Sequence, residues 1–170
     1  MQLQELMKNI QFTGTPDNRE ISAITYDSRK VKPGTLFVAI SGMQTDGHEF
    51  IPQAIENGAV AILSNGRSPK TKAVPILQVE DPRSAMSHIS AQFYGNPSTA
   101  MNVVGITGTN GKTSITHILY HILQNSEISC GTLGTLGFRT PTGMMSTGFT
   151  TPESVELQQM LQTLKMAGVD

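Results

Sequence analysis

The chain has 170 residues, of which 38% are hydrophobic and 15% charged, with a formal net charge of −1. That is long enough to bury a core as one ordinary domain or two small ones, and with no Lys/Arg run longer than a dipeptide it lacks the basic footprint of a nucleic-acid or anionic-membrane binder. No apolar stretch approaches the ~20 residues that cross a bilayer, and a single cysteine, Cys130, leaves no internal disulfide framework and suits a reducing cytoplasm.

In chain order, the opening MQLQELMKNI alternates apolar and polar residues and lacks the apolar centre of a signal peptide. Residues 21–26 read as a strand and 35–40 (TLFVAI) as a second, parted by a Pro33-Gly34 turn. Residues 50–57 are helix-like and end at Gly58, a suitable C-terminal cap. Short strands follow at 59–63 and 76–79. Asp81-Pro82 then starts a helix whose apolar residues Ala85, Met86, Ile89 and Phe93 recur at helical spacing. This first half is a small α/β unit, ending near the loop-like GNPST at 95–99.

In the second half, Val103, Val104 and Ile106 form the continuously apolar pattern of a strand buried on both faces of a parallel sheet. Ile115, Ile118, Leu119, Ile122 and Leu123 follow the spacing of an amphipathic helix packed on that sheet. A strand near 128–133 is expected to complete a β-α-β unit, with Cys130 in it as a buried, inert thiol. Residues 137–151 are rich in Gly, Thr and Met and read as a mobile loop or hairpin on the ligand side. Thr151-Pro152-Glu153 is expected to open a further helix, with threonine as cap and proline in the first helical position. Leu157, Leu161 and Leu164 line one face of it and Gly168 closes it. The fold class expected is therefore α/β: a small N-terminal domain over residues 1–96, then the start of a phosphate-loop, doubly wound parallel-sheet domain over 97–170. Since so few strands leave a parallel sheet uncovered, the sequence reads as the N-terminal portion of a longer protein.

The chemistry concentrates in GITGTNGKTS, residues 105–114. The usual G-x-x-x-x-G-K-[ST] spacing needs glycine five positions before Gly111, where Ile106 stands. The parts of an anion site are nonetheless present. Gly108 and Gly111 let the backbone bend and approach a phosphate at a helix N-terminus. Lys112 supplies a point charge for the β- and γ-phosphates, and the Thr113 hydroxyl can ligate Mg²⁺.

Gly108-Thr109-Asn110-Gly111-Lys112-Thr113 resembles the ATP loop of the Mur ligase family, which uses G-T-[NK]-G-K-[ST] in place of the Walker spacing. D-S-R at 27–29, P-G-x-L-F-V-A at 33–39, G-x-x-x-D-G-H-x-F at 42–50 and A-I-x-x-G-A at 54–59 resemble the family's UDP-binding N-terminal domain. G-T-L-G-T-L-G at 131–137 and F-T-T-P-E with L-Q-x-x-L at 149–161 favour its tripeptide-forming (MurE-type) branch. The last-step (MurF-type) branch and a free-standing UDP-sugar-peptide binding module are the alternatives.

The resemblance implies an ATP- and Mg²⁺-dependent amide ligase of peptidoglycan precursor synthesis, cytoplasmic and monomeric at full length. It would join a diamino acid to UDP-MurNAc-L-Ala-D-Glu through an acyl phosphate. It implies ATP contacts at Gly108, Thr109, Asn110, Gly111, Lys112, Thr113 and Ser114, with Lys112 catalytic and Thr113 on the metal. Ser114 stands where a second threonine is common. For the muramoyl-peptide nucleotide it implies Tyr26, Ser28, Met43, Gln44, Thr45, Thr150 and Thr151. The family's metal-binding glutamate, modified lysine and amino-acid-selecting domain fall beyond residue 170, so these 170 residues are expected not to catalyse ligation alone.

Other features have plainer readings. Asp27 and Arg29 fit a surface ion pair. His117 and His121 have metal-ligand spacing but no third ligand, and are read as solvated or core-edge histidines. His48 is read as a turn residue supporting the nucleotide loop. Glu153 suits a first helical turn through the helix dipole, and Met144-Met145 an adaptable loop.

Overall fold

The computed structural model describes residues 1–42, 45–66, 73–145 and 151–169. The chain divides into two compact units, Met1–Phe93 and Tyr94–Asp170.

The first unit is built on a four-stranded parallel sheet, with strands β1 (Ala23–Thr25), β2 (Thr35–Val38), β3 (Ala59–Ser64) and β4 (Ile76–Gln78) in spatial order β1-β2-β3-β4. All four were legible in the sequence. The interior pair is apolar without alternation, since β2 is buried throughout and β3 nearly so, as a parallel sheet covered on both faces requires. Phe37 packs with Ile51 and Ala54 of helix α2 (Ile51–Glu56). By strand alternation Leu36 and Val38 face the other side, where helix α3 (Pro82–Phe93) meets β2. The expected aspartate cap of α3 is present: Asp81 Oδ1 accepts from the backbone N–H groups of Arg83 and Ser84, at 2.9 and 3.2 Å.

One element escaped the sequence reading. The N-terminal residues form a short helix, α1 (Leu3–Leu6), whose two leucines are fully buried and which meets α3. Its single turn is too short for a helical period to stand out from alternation.

The second unit departs further from expectation. Helix α4 (Lys112–Asn125) forms as the spacing predicts. However, residues 102–107 carry no strand, and Val103 and Val104 are 59% and 68% exposed. An apolar run becomes a strand only when neighbouring strands satisfy its backbone, and no described strand pairs with this one. For the same reason α4 buries none of its residues completely, and Ile115, Ile118 and Ile122 remain exposed.

The strand expected near 128–133 shortens to β5 (Thr132–Gly134). It pairs antiparallel with β6 (Gly137–Thr140), which pairs antiparallel with β7 (Gly143–Met145). The expected β-α-β unit is thus replaced by a three-stranded meander, and within 137–151 the hairpin alternative holds for β6 and β7. Helix α5 (Ser154–Met166) starts later than expected: Glu153, not Thr151, is the N-cap residue, and it makes no side-chain cap bond. Leu161 and Leu164 are buried as predicted, and Leu164 joins Phe138 and Val169 in the core of this unit. No helix among the described residues is long and apolar enough to cross a membrane.

Candidate functional site

The loop before α4 is shaped by its glycines. Gly108 and Gly111 take φ of +149° and +80°, values that side-chain-bearing residues rarely adopt. Gly111 is the N-cap position of α4, and no side chain caps that end. A helix of this length gathers partial positive charge and free N–H groups there. Lys112, the first helical residue, folds its Nζ back to donate to the carbonyls of Gly108 at 2.6 Å and Thr109 at 3.4 Å. The loop, its lysine and Thr109, Asn110 and Ser114 are all exposed, while Thr113 is half-buried. The geometry is that of an anion cradle presented to solvent.

Beside the cradle lies a cavity of about 340 Å³. Lys112, Thr113 and Thr151, expected from the sequence to act on ATP and on the muramoyl peptide, all line it. So do Thr116 and His117, one turn further along α4. Sequence reasoning passed over these two as ligand contacts, although their i, i+3 and i, i+4 relation to Thr113 places them on its face. Apolar side chains of Leu133, Leu136, Met144 and Leu157 complete the wall. An apolar pocket with a few convergent polar groups is the common form of a small-molecule site.

In the first unit, the loops that follow β1 and β2 lie at the carboxyl edge of the parallel sheet, where α/β folds place their ligands. After β1, Tyr26 is half-buried and Ser28 is buried in a 3-10 turn, Ser28–Lys30. Asp27 caps that turn through the N–H of Arg29 and pairs with the Arg29 guanidinium at 2.8 and 2.9 Å. Those hydrogen bonds hold the Asp27 carboxyl below its ordinary value. With Arg29 84% exposed, this is the surface ion pair that the spacing predicts.

After β2, Ser41 and Asp46 form a bridge, and the Gly42 N–H donates to the carbonyl of the exposed Thr45. Asp46 Oδ1 accepts from the Ser41 hydroxyl, from the His48 N–H and from His48 Nδ1 at 2.5 Å. The contact with His48 is the main cause of the lowered Asp46 pKa. His48 is therefore the turn residue that the sequence suggested; its Nε2 is buried without a partner among the described residues. Met43, Gln44 and Thr150, the remaining expected substrate contacts, lie outside the described residues.

His121 stacks edge-on against Tyr120, at 5.5 Å between ring centroids. No group of three metal-ligating side chains occurs among the described residues. Cys130 is a buried free thiol, as expected.

These features define an α/β protein that carries a glycine-turned loop at the N-terminus of a helix. Residues 20–94 match the family described as Mur ligase family, catalytic domain, and residues 106–170 the Mur ligase middle domain. The chain belongs to the Mur ligase family. It is 41% identical, over 171 aligned residues and 99% of its length, to the UDP-N-acetylmuramoyl-L-alanyl-D-glutamate--2,6-diaminopimelate ligase of Caldanaerobacter subterraneus subsp. tengcongensis, of which it covers 35%. A solved ligase of the same name superposes on 99% of the chain with a TM-score of 0.78 at 22% identity, a likeness of fold, and 34% of that structure is covered. MurF ligase from Thermotoga maritima in complex with ADP matches 65% of the chain at 31% identity, with a TM-score of 0.50 and 24% of that structure covered. The chain spans about a third of the length of the curated relatives it matches.

Proposed function

We propose that residues 1–96 form the UDP-MurNAc-binding domain, and 97–170 the first part of the ATP-binding domain, of a cytoplasmic, monomeric amide ligase. In this reading the ligase adds 2,6-diaminopimelate to UDP-N-acetylmuramoyl-L-alanyl-D-glutamate, the substrates in the names of its relatives. The observation that carries the reading is the cavity in which Lys112 and Thr113 of the phosphate loop meet Thr151. It sets an anion-binding helix end beside a hydroxyl suited to a carboxylate.

Gly108, Thr109, Asn110, Gly111 and Ser114 would surround the ATP phosphates with N–H and hydroxyl donors. Lys112 would exchange its carbonyl partners for phosphate oxygens and offset charge in phosphoryl transfer. ATP would supply the phosphoryl group that activates the peptide carboxylate toward the incoming amine. For Mg²⁺, the half-buried Thr113 hydroxyl at the cavity is a fitting hard oxygen donor, and magnesium ordinarily takes few protein ligands beside phosphates and water. Tyr26, Ser28, Met43, Gln44 and Thr45 would hold the uridine nucleotide, and Thr150 and Thr151 the muramoyl peptide.

Calorimetric titration of the chain with UDP-MurNAc-L-Ala-D-Glu, with UDP-MurNAc-tripeptide as comparator, tests the proposal. Micromolar-range binding of the dipeptide precursor, lost in Ser28→Ala, is expected. Preference for the tripeptide would move the assignment to the last-step ligase. Absence of binding to both would refute the reading of the first unit.

A further inference from the structure

At the carboxyl edge of the first unit's sheet, Ser28 is 7% exposed and is held through both its side chain and its backbone. Its hydroxyl donates to Gln53 Oε1 at 2.9 Å, and its carbonyl accepts from Asn57 Nδ2 at 3.0 Å. Gln53 lies on α2 and Asn57 is the residue that caps its C-terminal end, so the two stand one turn apart on the same face. That face is separate from the one carrying Ile51 and Ala54 into the core. The helix thus grips one residue of the 28–30 turn at two points, side chain and backbone.

A serine hydroxyl has one proton and two lone pairs. Here the proton is committed to Gln53, and among the described residues nothing donates to Ser28 Oγ. The oxygen is left as an oriented acceptor. Gln53 and Asn57 are themselves exposed, while the serine they reach is buried, so each bond contributes its ordinary share to stability and also fixes where the Ser28 oxygen points. For the oxygen's free lone pairs their consequence is orientation.

We propose that Gln53 is a positioning residue of the nucleotide site, holding the Ser28 hydroxyl so that its oxygen accepts an N–H or O–H of the bound uridine nucleotide. This rests on the reading of the first unit as a uridine-nucleotide domain. Without Gln53 the hydroxyl rotates freely, and an acceptor fixed in advance becomes one that must be ordered on binding.

The test is a double-mutant cycle on the 170-residue chain, with UDP as the probe and NMR chemical-shift titration reading dissociation constants into the millimolar range. Gln53→Met keeps the side-chain length and removes the acceptor. Ser28→Ala and Gln53→Met are each expected to weaken UDP binding roughly 3–10-fold, the span of one ordinary hydrogen bond. The double variant is expected to bind within about twofold of Ser28→Ala alone, since Gln53 acts through Ser28. Gln53→Met should lower the thermal midpoint by no more than the loss of one hydrogen bond, while the loss of UDP affinity disappears in the Ser28→Ala background.

Equal losses from Gln53→Met in both backgrounds would overturn the inference, as would no loss from either single variant. A chain that binds UDP while failing the cycle refutes the positioning role alone. A chain that does not bind UDP refutes the nucleotide reading, and this inference with it.

Discussion

Lys112 occupies a position that helix energetics disfavours. It is the first residue of α4, whose N-terminus carries partial positive charge, and no acidic residue shares that first turn to balance it. The ammonium is exposed and, among the described residues, bonds only to loop carbonyls, which an ordinary helix would leave to water. A cation kept at such a place gains most when an anion joins it. Lys112→Met is accordingly expected to leave the unfolding midpoint unchanged or slightly raised. ATP binding should weaken tenfold or more, since a charge-assisted phosphate contact is lost. Titration of a fluorescent ATP analogue beside a thermal melt separates the two effects, and parallel losses in both would show Lys112 to be structural. This residue was legible because its chemistry is local, with glycines, lysine and threonine within six positions. The Ser28–Gln53 bond was not, because its partners stand 25 residues apart and only the packing of α2 beside the 28–30 turn joins them.

At the scale of elements, the D-G-H motif shows how three adjacent residues act as a unit. Asp46 caps the 3-10 turn Gly47–Phe50, and His48 returns to the Asp46 carboxylate. Gly47 is required by crowding, since a Cβ there would stand 2.7 Å from the Ile40 carbonyl oxygen and 2.8 Å from its nitrogen. Both obstacles are backbone and cannot rotate away. Gly47→Ala is expected to cost about 1–3 kcal/mol, the usual penalty of overpacking, and to disturb the bridge between Ser41 and Asp46 that precedes it. Gly143→Ala in the second unit, where a Cβ meets nothing within 4 Å, is the uncrowded comparison and should stay within about 0.5 kcal/mol of the parent. Urea denaturation decides the matter, each variant being read against the parent in the transition of its own unit; an unshifted first-unit transition in Gly47→Ala would mean that the turn yields more readily than its geometry implies. Turn chemistry of this kind made the first unit readable, with Pro33-Gly34, Gly58 and Asp81-Pro82 each marking a true boundary. Element ends that depend on distant partners were misread. Val103-Val104 has the composition of a buried strand but no neighbour to pair with among the described residues, and Thr151-Pro152 has the composition of a helix start while α5 begins at Ser154.

Across the whole molecule the two units differ in how completely they cover their apolar surface. In the first, α2 covers one face of the sheet and α3 the other, and Leu36, Phe37, Val38, Ile62 and Leu63 have no exposed surface. In the second, Ile115, Ile118 and Ile122 repeat at i, i+3 and i+7 along α4 and are all more than half exposed, as are Val103 and Val104. Hydrophobic burial is the main favourable term in folding, so the second unit holds much less of it. The chain is therefore expected to unfold in two steps rather than one. The second unit should open first, at low urea, followed by a sharper transition of the first. Before any unfolding, the stripe on α4 should bind the dye ANS, as exposed contiguous apolar surface does. Ile118→Gln cuts the stripe at its middle without touching a buried contact. It should lower the dye signal at least twofold and leave the later transition where it was. A single cooperative transition, with no dye binding in the native state, would show that the α4 stripe is covered in solution.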